Sequence, residues 1–284
     1  MSQAHTVVYE YEGGFAGFLC AAAELINATK ADGASPTRAS FSVAAASGAA
    51  GLFEERIGVA RDDGRAAALW KRLSAKAGLE AMETIRAAFL SDLAGADGAA
   101  ARLLARMAWR GARALDELGD ADAILVEKAA HRARAEAHLM LGLVRFSELA
   151  DGSYVASIRP DCDTLPLMGD HFAERFPDMR WAIRDRRRGT AAVHLPGAPW
   201  RLVEGFSLGG AAGDETAGGP SSTPYSATPY SATPYSATEL ELRAAWALYF
   251  KSVAIEERAN ERLQAGHMPK KYWDELPEFG AGAT

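Results

Sequence analysis

The feature that most constrains the fold is a change of hydrophobic period at Leu143. From about Asp62 to Leu141 the apolar residues recur at helical spacing: Leu69, Trp70 and Leu73; Ile85, Phe89, Leu90 and Leu93; Leu103, Leu104, Met107 and Leu115. Gly78, Gly95, Gly98 and Gly119 punctuate this stretch at positions expected to end helices, so four helices are predicted. Beyond Leu143 the period falls to two, and short segments alternate apolar with polar residues: LVRFSELA, SYVASIRP, RWAIRDR, TAAVHL and WRLVEGF. Asp151-Gly152 between the first two is a hairpin signal, so an antiparallel meander is expected. LPLMGDHFAERF, between the second and third strands, fits a short helix entered at Pro166.

The two ends complete the pattern. Thr6 to Tyr11 reads as a strand closed by Gly13-Gly14, and Phe15, Phe18, Leu19, Ala22, Leu25 and Ile26 follow at helical spacing. Leu52 to Val59 is a candidate second strand. Thr238 with Glu241 three residues later reads as a capping box for a helix striped by Leu242, Trp246, Tyr249, Phe250 and Val253. The expectation is one α+β domain over 1–284: a helix-rich part (1–142), a β-meander (143–207), and a C-terminal amphipathic helix packed on the meander with its tail (238–284). Between them, 208–237 is rich in Gly, Ser, Thr and Pro and holds TPYSA three times in tandem. Such a segment buries too little apolar area to offset its ordering entropy and is expected to be a flexible insertion.

Composition narrows the chemistry. With 31 Lys plus Arg against 37 Asp plus Glu, the net charge is −6, which excludes a generally cationic nucleic-acid coat and makes any such contact local. The two cysteines, Cys20 and Cys162, suit a reducing cytoplasm. They cannot supply the thiolates of an iron-sulfur cluster or of a four-cysteine zinc site. No signal peptide opens the sequence and no apolar run reaches the roughly 18 residues of a membrane span, so a cytoplasmic location without membrane contact is expected. GxxxxGK[ST], GxGxxG after a strand, HExxH and HxxxH are all missing. No cofactor or metal site is therefore expected.

Three constellations remain. RWAIRDRRR places Arg180, Arg184, Arg186, Arg187 and Arg188 within nine residues, and Arg145, Arg159 and Arg201 occupy polar positions of neighbouring strands. In matching registers these guanidiniums would share one sheet face suited to phosphate or unpaired bases; otherwise the run is a solvated hairpin with surface ion pairs. HMPKKYWDELPE, near the C-terminus, joins Lys270 and Lys271 to Tyr272 and Trp273. That adjacency suits a platform for single-stranded nucleic acid, or a tail whose aromatics pack beneath the last helix. His171 with Asp161 and Arg175 could serve acid-base chemistry, and His131 and His138 share a helix face, although hydrogen-bonded structural histidines are the competing reading.

Four segments, VYEYEGGFAGFL, LMLGLVRFSEL, IRPDCDTLPLMGDHFAERFPDMRWAIRD and AWALYFKSVAIEERANERLQAGHMPKKYW with DELPE, resemble the bacterial family called probable DNA metabolism proteins, a domain of unknown function. The matching positions are Arg145-Phe146, Pro160-Asp161, Leu165-Pro166-Leu167, His171-Phe172, Arg175-Phe176, Trp181, Asp185, Arg258, Asn260, Met268-Pro269 and Tyr272-Trp273. Glu261 stands where the family commonly has Pro, and Cys162 falls in a variable position. Members of the family stand beside a radical-SAM protein associated with DNA repair or are fused to a uracil-DNA glycosylase. The resemblance, combined with the confined positive run and the basic-aromatic tip, points to a DNA-repair accessory protein that binds DNA, or such an enzyme, through Arg145, Arg184, Arg186, Arg187, Arg188, Arg258, Lys270, Lys271, Tyr272 and Trp273. Its alternatives are an enzyme acting on a damaged base or nucleotide around His171, and an interaction module without DNA contact.

Overall fold

A computed structural model of the chain describes residues 6–32, 39–43, 54–115, 119–206, 235–253 and 260–279. Nearly all of the TPYSA insertion lies outside the described residues, as does Arg258. The chain forms two compact units, residues 1–135 and 136–284. Helices coexist with two sheets, the second of them mostly antiparallel, as expected of the α+β class, and no described helix is long and apolar enough to cross a membrane.

In the first unit, β1 (Thr6–Tyr11) is the middle strand of a three-stranded sheet ordered β2-β1-β3, with β2 at Ala39–Val43 and β3 at Glu54–Val59. Both pairings are parallel, and α1 (Phe15–Asp32) supplies the crossover that a parallel neighbour requires. The strand β2 was not anticipated from sequence. Phe18, Leu19, Ala22, Leu25 and Ile26 of α1 are buried, as their spacing predicts. The four expected helices follow as α2 (Asp63–Ala77), α3 (Leu79–Phe89), α4 (Ala96–Arg110) and α5 (Ala121–Leu143). Asp62 caps α2 by accepting from the Arg65 N–H at 2.9 Å. Gly78, at φ 87°, joins α2 to α3 in a conformation that glycine alone adopts cheaply. Gly98 differs from expectation: it lies inside α4, not at a helix end, and is buried there among alanines.

The second unit is a five-stranded sheet in simple sequence order: β4 (Ser147–Glu148), β5 (Tyr154–Ile158), β6 (Trp181–Asp185), β7 (Thr190–His194) and β8 (Arg201–Glu204). All five expected strands are present and the Asp151-Gly152 hairpin forms, with Gly152 at φ 75°. The meander is nevertheless interrupted, because β5 and β6 pair in parallel. The predicted short helix, α6 (Leu165–Arg175), is the physical reason: it carries the chain back along the sheet before β6 begins.

Period-two alternation gives β6 two different faces. Trp181 and Ile183 point into a core shared with α6, Met140 and Leu143 of α5, Tyr272 and Leu276. Ala182 lies in the opposite cluster with Val155, Ala191 and Val193, and alternation sets Arg184 on the same side. Near the C-terminus lie α7 (Ala237–Val253), α8 (Glu261–His267) and a 3-10 turn (Lys270–Glu275). The α7 cap falls two residues earlier than Thr238: the Ser236 hydroxyl accepts from the Glu239 N–H at 3.0 Å. The start of α7 is attached to β4 by polar contacts, Glu239 accepting from the Glu148 N–H and Arg243 donating to the Ser147 hydroxyl. Leu242, Trp246 and Tyr249 of the predicted stripe stand exposed.

Candidate functional site

The arginine run divides according to strand alternation and the turn that follows β6. Asp185 is fully buried and accepts from the backbone N–H groups of Arg187 and Arg188, while its second oxygen takes the Arg188 guanidinium at 2.9 Å. Arg188 also donates to the carbonyls of Pro160 and Asp161, so it belongs to the construction of the turn. Arg180 pairs with Asp151 at 2.8 Å, and Arg187 with Asp161 at 3.1 Å. Arg186 is half exposed and pairs with Glu275 at 2.9 Å. The Arg184 side chain makes no hydrogen bond or ion pair among the described residues, and its Nε is buried without an acceptor.

The C-terminal tip is pinned, and the residue that pins it is Glu136 on α5. Its carboxylate accepts from the Asp161 N–H at 2.8 Å, the Cys162 N–H at 2.7 Å, the Tyr272 hydroxyl and the Lys271 ammonium. Burial alone would raise the Glu136 carboxyl, but the bonds from Tyr272, Asp161 and Cys162 outweigh it and hold the group at about 2. Burial, reinforced by the bond to Glu136, pushes the Tyr272 phenol well above its usual range. Burial opposes the charge on Lys271, but its pair with Asp161 prevails and holds the ammonium above its ordinary value. Trp273 donates its indole N–H to the Met268 carbonyl at 2.8 Å and stacks on Phe279, ring centroids 4.3 Å apart, with Lys270 over its ring. Tyr272 and Trp273 are thus packing residues here, while Lys271 and Arg187 meet on the carboxylate of Asp161.

What the sheet and the tail do enclose is a cleft of about 360 Å³. Ser157 on β5 and Arg184 on β6 are register partners on its floor, beside Val155. Arg145, Ser147, Arg186 and Arg243 bring further cations and a hydroxyl, and Asp274, Glu275, Leu276 and Pro277 of the tail form the opposing wall. Arg145 is held by the Gly142 carbonyl at 2.8 Å and by Glu278 at 3.1 Å; the second oxygen of that buried carboxylate has no partner. The Arg243 guanidinium lies 3.9 Å over the ring of Tyr235, which also lines the cleft. Four guanidiniums therefore converge, three bound to carboxylates and one uncommitted. The arrangement suits a phosphate group, two of whose oxygens accept parallel N–H bonds from such a fork.

Of the sequence candidates, Arg145, Arg184 and Arg186 line this cleft; Arg187, Arg188, Lys270, Lys271, Tyr272 and Trp273 do not. His171 and Arg175 are exposed on α6, with Phe172 edge-on to the imidazole and Phe176 beneath the guanidinium, whereas Asp161 belongs to the Lys271 and Arg187 network. None of those three lines the cleft. Reasoning from sequence missed Arg243, Ser147, Ser157 and Tyr235. The alternation of SYVASIRP against RWAIRDR carries the one available signal, since it places Ser157 beside Arg184 if the strands pair in parallel.

No curated protein and no solved structure matches the chain. One family does, a domain of unknown function, DUF4130, over residues 95–278. VYEYEGGFAGFL lies ahead of that span, while the strands of the second unit, the cleft-lining residues and the tail through Glu278 lie within it. With well over half of its length matched, the chain belongs to the DUF4130 family.

Proposed function

We propose that this protein is a cytoplasmic, DNA-binding accessory factor of DNA repair, acting beside a radical-SAM repair protein or a uracil-DNA glycosylase, and that the arginine cleft is where it grips the strand. The observation that carries the reading is Arg184: a guanidinium without a partner among the described residues, set in a recess with Arg145, Arg186 and Arg243 on a protein of net charge −6. Burying a charged group without a partner is costly, so a lone guanidinium facing three others favours an anion that the sequence does not itself provide. Phosphate is the anion that DNA offers in quantity.

The reading predicts that the full chain binds oligonucleotides with an affinity that falls as salt rises. Arg184→Ala should weaken binding about tenfold or more, the worth of one charge-assisted hydrogen-bonding fork. Arg187→Ala, outside the cleft and committed to Asp161, should change it little. Fluorescence anisotropy titrations at several salt concentrations read both. Equal affinities for the parent and Arg184→Ala would remove the cleft from the proposal. Stable association with a repair enzyme by a chain that has no affinity for DNA would replace the proposal with a protein-interaction role.

A further inference from the structure

The lining of the cleft is more selective than a polyanion track needs. Asp274 and Glu275 stand in the same recess as the four arginines, together with the hydroxyls of Ser147 and Ser157, the Tyr235 ring and the apolar surface of Leu276 and Pro277. Carboxylates in a groove that follows successive phosphates repel the phosphates on either side of the one that is held. A ligand that suits the set combines one anionic group with hydrogen-bond donors and a planar apolar body. A duplex meets these requirements poorly, because its bases are stacked and paired away from a recess that reaches only its outer rim. A recess of about 360 Å³ is at the small end of ligand sites.

Resting on the DNA-binding reading, we infer that the cleft takes a single nucleoside monophosphate unit, presented as an unpaired nucleotide of a DNA strand, with Arg184 as its phosphate anchor. The carboxylates accept from base or sugar donors, and Tyr235 adds an aromatic surface whose stacking is tolerant of base identity. Glu275 occupies Arg186 until the phosphate arrives.

The experiment uses the full chain, a short labelled single strand as probe, and four competitors: deoxyguanosine monophosphate, deoxyguanosine, inorganic phosphate and a blunt paired duplex. Expected are displacement by the monophosphate, none by the nucleoside, and at least tenfold weaker competition by inorganic phosphate and by the duplex. Arg184→Ala should abolish displacement by the monophosphate. Glu275→Gln, which leaves Arg186 without its carboxylate, should tighten inorganic phosphate several-fold, a gain that misfolding does not produce. A duplex that competes as well as the single strand, with a monophosphate that does not compete, overturns the inference and leaves DNA binding standing. Direct binding of the monophosphate through Arg184, measured by calorimetry, with no affinity for any strand overturns the DNA reading and leaves a free-nucleotide site.

Discussion

Glu136 is one glutamate in an Ala-rich helix, and nothing around it marks it out, yet four donors from two distant segments converge on its carboxylate. A carboxylate that satisfies buried N–H and O–H groups is missed far more than its net bond energy suggests, because each orphaned donor keeps its desolvation penalty. Glu136→Gln retains one acceptor oxygen and turns a donor toward groups that are already donors. The expected loss is about 1.5–3 kcal/mol in urea unfolding at pH 7. The pH dependence fixes the cause. The folded carboxyl sits at about 2 against an ordinary 4.5, so its contribution is complete above about pH 4.5 and lost as pH falls through about 2. The gap between parent and Glu136→Gln should stay constant from pH 7 to about 5 and narrow below that. A gap that is flat to pH 3 would place the loss in packing and not in the charge.

At the scale of elements, the packing of α6 against the chain entering β8 turns on one glycine. A Cβ built on Gly169 would lie 2.3 Å from the Trp200 ring, and the same indole donates to Asp170 at 2.6 Å. Gly169→Ala must displace the ring and break that bond, at a cost of about 1–3 kcal/mol or more. Trp200 fluorescence together with a lowered Tm would register it; an unchanged emission and Tm would show that the ring has room to move. The sequence makes the existence of α6 plain, since Leu165, Met168 and Phe172 keep its period, but not its consequence for direction. Strand order followed from short connections, whereas the parallel pairing of β5 with β6 depends on which way a helical crossover returns the chain, and period-two alternation is the same in either direction. The α7 cap was displaced for a similar local reason: SATELE offers Ser236 with Glu239 and Thr238 with Glu241, and the contact of Glu239 with β4 selects the first pair. At α8 the departure from the family pattern gains a meaning. Asn260 caps that helix, so Glu261 occupies the first helical position, where Pro is favoured because its N–H is not needed. The cleft was legible only in its arginines; its tail wall required knowing that DELPE folds back beside β5, a contact without periodic signature.

For the molecule as a whole, charge decides what kind of binder this can be. A net charge of −6 sets an unfavourable background for any polyanion, and within the second unit most of the arginine run is already neutralised by Asp151, Asp161, Asp185 and Glu275. Affinity must then come from few phosphates. Counterion release makes that count measurable, because the slope of log K against log salt is about −0.7 per phosphate neutralised on a single strand. The cleft has four guanidiniums, three of them shared with carboxylates, so the slope should lie between about −0.7 and −3. Glu275→Gln should steepen it, since Arg186 then meets the ligand without a competitor, and Arg184→Ala should flatten it. A slope well beyond −3 would mean that phosphates track a surface outside the cleft, and residues such as Arg187 and Lys271 would have to leave Asp161 to supply it. The two possibilities separate by repeating the titration on Asp161→Asn: that change releases Arg187 and leaves Lys271 only its longer pair with Glu136, so it steepens the slope only if the strand reaches them.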